Sequence, residues 1–214
     1  MNRNSNQQIT ANLYALLARL ERHSYFTAKS DLPENGVYFF FEEGETIIVN
    51  DGPVQRIVRI GTHKTDGRFP GRIDNHYGAR KRLSGSRTGS IFRKHLGAAL
   101  LRRVNTEDPR IQIWLSQESL KFPAVETMVS RQLRDKFTFS CLQVSESTLR
   151  LKLERGLIAL LAQYPIGIAS DLWLGHYAAT PVIRNSGLWN VQHVDDPVVT
   201  ICEWEQLLAD SEAT

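Results

Sequence analysis

Four side chains of this 214-residue chain have the types and order to hydrolyse a phosphodiester: Tyr38, Arg72, His76 and Glu154. That reaction needs an activated water, neutralised phosphoryl oxygens and help for the leaving oxygen. Tyr38, in the run Gly36-Val37-Tyr38-Phe39-Phe40, is the candidate general base or a donor that positions the water. A free phenol ionises near about 10, so base action at neutral pH needs cations close by. Arg59 and Lys64 are placed to supply them. Arg72 can give a phosphate two hydrogen bonds while staying charged; Arg80, Arg82 and Arg93 are its rivals. His76 lies one helical turn from Arg72 and can relay a proton or bind phosphate, with Tyr77 a second phenol beside it. Glu154 sits among Leu151, Leu153, Leu157 and Ile158. A carboxylate beside such a stripe is costly unless paired, so it is either functional or joined to Arg150 at i−4.

The elements that must position these groups are legible in outline. Leu13, Leu16, Leu17 and Leu20 have helical spacing, which predicts an amphipathic helix over about 11–23. Residues 37–42 read as a strand, extended through 46–49 to the turn Asn50-Asp51-Gly52-Pro53. Residues 56–61 alternate basic and β-branched side chains, as the returning strand of a hairpin or meander would. Residues 63–89 predict a loop with one short helix, followed by a helix capped by Ser90. A further helix is predicted over 122–136, with Pro123 in its first turn, and a third strand over 137–144. Ser145 is the expected cap of a long helix to about Gln163, with Glu146 in its first turn. Residues 170–190 read as loop-rich, and 203–209 as a short closing helix.

Composition is that of an ordinary soluble globular chain, 42% hydrophobic and 23% charged, and its length is expected to make one domain over 1–214. No secretory core and no run of about 20 apolar residues is present. Cys141 and Cys202 stand alone, outside any zinc or disulfide spacing, so a cytoplasmic location is expected. The net charge of +3 hides an asymmetry. Residues 56–110 hold fourteen Lys/Arg against four Asp/Glu, a net +10, and the remainder carries −7. Clustered cations gain entropy by displacing counterions from a polyanion, which makes nucleic acid the expected partner.

The ordered motifs resemble the GIY-YIG nuclease family, in particular its restriction-enzyme members. Gly36-Val37-Tyr38 stands at the first motif and Arg59-Ile60-Gly61 at the second, with Arg59 where the family has a second tyrosine. Arg72 and His76 form an Arg-x3-His pattern, Leu153-Glu154-Arg155-Gly156 resembles the helix with the catalytic glutamate, and Ser186-Gly-Leu-Trp-Asn190 the segment ending in the family's asparagine. The similarity covers about residues 33–195. It implies an α+β (α/β sandwich) fold: a small mixed, largely antiparallel sheet of about three strands flanked by helices. An insertion is expected around 173–183. It also implies one divalent cation, magnesium, held by Glu154. Magnesium keeps several waters and needs only one or two carboxylates, so a single glutamate is chemically sufficient.

The expectation is therefore a magnesium-dependent DNA endonuclease. Its site is Tyr38, Arg59, Arg72, His76, Glu154 and Asn190, with Lys64, Arg68, Arg80, Lys81, Arg82 and Arg93 on the nucleic acid. A symmetric homodimer would suit a palindromic target. The alternative is a non-catalytic nucleic-acid-binding module on the same fold, since an arginine at 59 cannot act as a phenol. A partner-binding α/β domain with an incidental basic face is the third reading.

Overall fold

The computed structural model describes residues 3–116 and 120–212. Its centre is a three-stranded antiparallel sheet of order β2-β1-β3, formed by β1 (Gly36–Val49), β2 (Gly52–Gly61) and β3 (Phe137–Gln143). The two runs expected over 37–42 and 46–49 are one long strand, kept continuous through register shifts against β2. Val49 pairs with Gly52 across Asn50 and Asp51, both at positive φ, which is the two-residue hairpin turn that Asn and Asp tolerate best.

β1 is the middle strand and is covered on both faces, which is why Val37 to Phe41 reads as an unbroken apolar run. Alternation sends Tyr38 and Phe40 to one face and Val37, Phe39 and Phe41 to the other. Packed with Tyr38 and Phe40 are side chains of α2 (Phe69–Tyr77), α3 (Ile91–Val104) and α5 (Pro123–Lys136), among them Phe69, Phe92 and Val129. On the opposite face lie α1 (Arg3–Leu17) and α6 (Ser147–Gln163), through Leu13, Leu153 and Leu157. Trp204 of α8 (Ile201–Glu212) completes that layer. Helix, sheet and helix thus form the expected sandwich.

Three details differ from the sequence expectation. The first helix runs from Arg3 to Leu17, because Ile9, Leu13 and Leu17 continue its buried stripe toward the N-terminus. Beyond it the chain turns to bridge His23 with Phe139 on the outer edge of β3. The helix α4 (Arg110–Leu115) was not foreseen; six residues offer too few periods to register, and it docks by Ile111 and Trp114. The cap of α6 is Glu146, not Ser145, with its carboxylate accepting the Thr148 and Leu149 N–H groups.

Residues 165–190 hold a short 3-10 turn (Leu174–Tyr177) and α7 (Pro181–Ser186). This segment is fastened by a buried polar network. Trp173 and Trp189 both donate their indole N–H to Glu42 Oε2, at 3.1 and 3.3 Å. Glu45 binds Arg56 and accepts from Ser170, and Arg56 donates to the Gly187 carbonyl. Among the described residues no helix is long and apolar enough to cross a membrane.

Candidate active site

The end of β2 is where the chemistry-bearing elements meet. Tyr38 pairs with Gly61 across the sheet, and its ring lies directly over the Gly61 backbone, in space that any Cβ there would occupy. The next residue, Thr62, donates its N–H to Glu154 Oε1 at 3.2 Å. Glu154 therefore reaches the strand end from α6, and Tyr38 reaches it from the opposite face of the sheet.

Glu154 and Arg72 line one open cleft of about 730 Å³ together with His63, Lys64, Arg68 and His193. Among the described residues lining the cleft Glu154 is the only carboxylate, and apart from Gly71 and Leu151 the walls are otherwise polar or basic. Arg150 pairs with Asp66 at 2.5 Å instead of with Glu154, so the ordinary i,i+4 alternative is not realised. Among the described residues Glu154 Oε2 takes no hydrogen bond. Such a donor set fits a hard, largely water-ligated divalent cation and not a soft or tetrahedral one. No group of three or more His, Cys, Asp or Glu side chains is gathered among the described residues.

Behind the cleft, Tyr38 and His76 are fully buried and bonded, Oη to Nε2 at 2.9 Å. His76 Nδ1 is 2.8 Å from Ser90 Oγ. Burial holds the His76 imidazole well below its ordinary ionisation range, reinforced by the charges of Arg72, Arg59 and Arg93. It is neutral at physiological pH. Arg72 links the two regions, since it lines the cleft while its charge acts on His76.

The other sequence candidates fall outside this pairing. Arg59, opposite Phe40, is buried with its guanidinium over the Phe92 ring at 5.1 Å and Nη1 donating to the Trp189 carbonyl. Asn190 makes a two-point bond with the Ile60 backbone: Nδ2 donates to the carbonyl at 2.8 Å and Oδ1 accepts the N–H at 3.1 Å. With the Trp189 N–H on the Val58 carbonyl, it closes the open edge of β2. Tyr77 is a core residue whose hydroxyl donates to the Phe137 carbonyl and whose ionisation burial pushes far up.

Of the expected nucleic-acid contacts, Lys64 and Arg68 are exposed at the cleft. Arg80, Lys81 and Arg82 are exposed on the turn after α2, outside the cleft lining, with Arg80 tied to Asp74 and the Thr27 carbonyl. Arg93 is a correction. It is wholly buried, paired with Glu126 at 2.6 Å and donating to the His76 carbonyl, so it cannot touch a nucleic acid. A short N-terminal stretch of α3 aims it inward, which its position in a basic run concealed.

Sequence reasoning missed His63, which lines the cleft one residue after Thr62. Its Nε2 lies 2.9 Å from Asn35 Oδ1, and burial together with Arg150 lowers its pKa to about 4. The signal was its place at the exit of the second motif strand, where side chains leave the sheet.

A sheet of this order, with a tyrosine and histidine on one face and a helix carboxylate at the strand end, is a nuclease-type frame. Residues 2–201 match the GIY-YIG domain model, and the chain belongs to the GIY-YIG family. Comparisons with curated proteins and with solved structures return no match.

Proposed function

We propose that the protein is a divalent-metal-dependent DNA endonuclease whose centre is the cleft at the end of β2. The observation that carries this reading is the meeting of Glu154 and Arg72 in one basic cleft, with the Tyr38–His76 pair directly behind the same strand end. Glu154, kept in place by the Thr62 N–H, would hold the magnesium ion. When bound, the cation polarises the phosphoryl group and lowers the pKa of its water. Arg72 grips the scissile phosphate, and Lys64 and Arg68 follow the flanking backbone, which gives affinity and register but no sequence information. Tyr38 takes or positions a proton of the attacking water, and neutral His76 holds its oxygen. Arg59 fixes the Trp189–Asn190 segment and adds positive charge near His76. Since Tyr38 is covered by Gly61, Phe69 and His76, substrate engagement requires the α2 side of the cleft to shift.

That same burial favours the second reading, a DNA-binding module without turnover. Plasmid cleavage with magnesium, with EDTA, and with the Glu154→Ala protein separates the two. Cleavage lost on either change, from a variant still folded and binding DNA, supports the nuclease. Salt-sensitive binding without cleavage of any DNA supports the module.

A further inference from the structure

The hydrogens of the Tyr38–His76–Ser90 chain can be counted. Tyr38 Oη is 2.9 Å from His76 Nε2, His76 Nδ1 is 2.8 Å from Ser90 Oγ, and Ser90 Oγ accepts the Arg93 N–H at 3.2 Å. All three side chains are buried, and among the described residues no further group bonds to their hydroxyls or ring nitrogens. A neutral imidazole carries one N–H and one lone pair. Four hydrogens, from the Tyr38 hydroxyl, the His76 ring, the Ser90 hydroxyl and the Arg93 amide, therefore share three links. Among the described residues one hydroxyl hydrogen has no acceptor.

The two tautomers put that surplus at opposite ends. With Nδ1–H, the imidazole donates to Ser90 and the Ser90 hydrogen is stranded in the interior at the start of α3. With Nε2–H, Ser90 donates to Nδ1, His76 donates to Tyr38, and the stranded hydrogen is that of Tyr38. A buried unpaired donor is costly, but the Tyr38 hydroxyl lies at the Gly61 strand end, next to the residue that holds Glu154. Of the two hydroxyls, that of Tyr38 is the one beside the strand end where Glu154 is held.

We propose that Ser90 is a positioning residue for Tyr38: its hydroxyl donates to His76 Nδ1, fixes the Nε2–H tautomer, and makes the Tyr38 proton the one the chain releases. This rests on the reading of Tyr38 as a working group in phosphodiester cleavage. When the α2 side of the cleft shifts to admit substrate, that proton passes to solvent, three hydrogens fill three links and the phenolate oxygen accepts Nε2–H. The phenolate then takes one proton from the attacking water as the new P–O bond forms. The bond to the leaving oxygen breaks, solvent protonates that oxygen, and Tyr38 returns its proton to solvent. The burial that keeps His76 uncharged is consistent with this arrangement. So is the double use of Ser90, since its oxygen caps α3 while its hydrogen stays free to be donated.

The experiment uses the full chain labelled with 15N-histidine, in the wild type and the Ser90→Gly and Ser90→Thr variants. Glycine is nearly as good an N-cap as serine but has no hydroxyl, and threonine keeps both functions. Ring 15N shifts of His76 should show a protonated Nε2 and a bare Nδ1 in the wild type. Ser90→Gly, folded as judged by its melting curve, should cleave DNA roughly 10- to 100-fold more slowly with its pH–rate profile displaced, and Ser90→Thr should restore both. A protonated Nδ1 in the wild type overturns the assignment. So does a folded Ser90→Gly protein with the wild-type rate and pH profile. A wild type that shows the Nε2–H tautomer but cleaves no DNA overturns the nuclease reading, and with it the role in catalysis.

Discussion

The ring of Tyr38 rests on the backbone of Gly61, its cross-strand partner, so closely that even one methyl group at 61 would overlap the phenol. The contact joins the first motif strand to the second. It also explains why residue 61 is glycine although its neighbours in β2 are bulky: the strand must leave room for a buried aromatic ring. The Tyr38 hydroxyl is thereby held at 2.9 Å from His76, one residue away from the Thr62 N–H that anchors Glu154.

Gly61→Ala should therefore move Tyr38 or bend β2. Overpacking a buried site costs about 1–3 kcal/mol, and the variant should unfold correspondingly earlier in urea while losing cleavage even where it is folded. A folded variant with wild-type turnover would show that the Tyr38 ring position is immaterial.

Glu42 should give stability an unusual pH dependence. Burial, opposed by the indole hydrogen bonds and supported by the charge of Glu45, pushes its pKa from 4.5 up to about 7. The folded chain holds this proton more tightly than the unfolded chain. The associated stabilisation is complete below about 4.5 and is lost as pH rises through about 7. Between pH 5.5 and 8 the loss is about 2 kcal/mol. Glu42→Gln retains an acceptor for Trp173 and Trp189 but cannot ionise, so the difference in melting temperature between wild type and variant should change across that range. Trp fluorescence should follow the same titration in the wild type alone. A constant difference from pH 5.5 to 8 would rule out ionisation of Glu42 there.

Asn190→Ala should act on the fold before it acts on chemistry. It strips two partners from the Ile60 backbone at an open sheet edge, for a cost of about 2–3 kcal/mol. Cleavage should recover at low temperature, where the variant is folded. If a folded Asn190→Ala protein remained inactive, the side chain would have a direct part in the reaction.

Arg68 and Arg93 should behave as opposites. Arg68→Ala, at the exposed cleft, should leave stability unchanged and lower the slope of log Kd against log salt by about 1. Arg93→Ala leaves Glu126 without its buried partner and should destabilise by about 3–5 kcal/mol. Denaturation curves and a salt titration on a DNA duplex check both; equal effects on salt dependence would contradict the burial of Arg93.

Tyr38, Arg72, His76 and Glu154 were legible because each combines an informative residue type with a short-range pattern: a strand run, an i,i+4 pair, a carboxylate in an apolar helix stripe. Arg72 and Glu154 do share the cleft, and Tyr38 and His76 are paired. The arginines were less legible. Nothing local distinguishes Arg68, which faces solvent, from Arg93, which faces Glu126, because their partners lie on elements far away in the chain. Asn190 shows the same limit, its amide being used up by Ile60 across 130 residues.

The sequence by itself determined the strands, most of the helices, the hairpin turn and the chemical types at the site, because these follow from periodicity, capping and turn propensities over a few residues. Tertiary structure alone decided that β1 is the central strand. It also turned Arg59 and Arg93 inward, put Ser90 on His76, and brought Glu154 to the strand end opposite Tyr38. Those outcomes depend on which distant groups satisfy each buried donor and acceptor, and that is settled only when both faces of the sheet are packed.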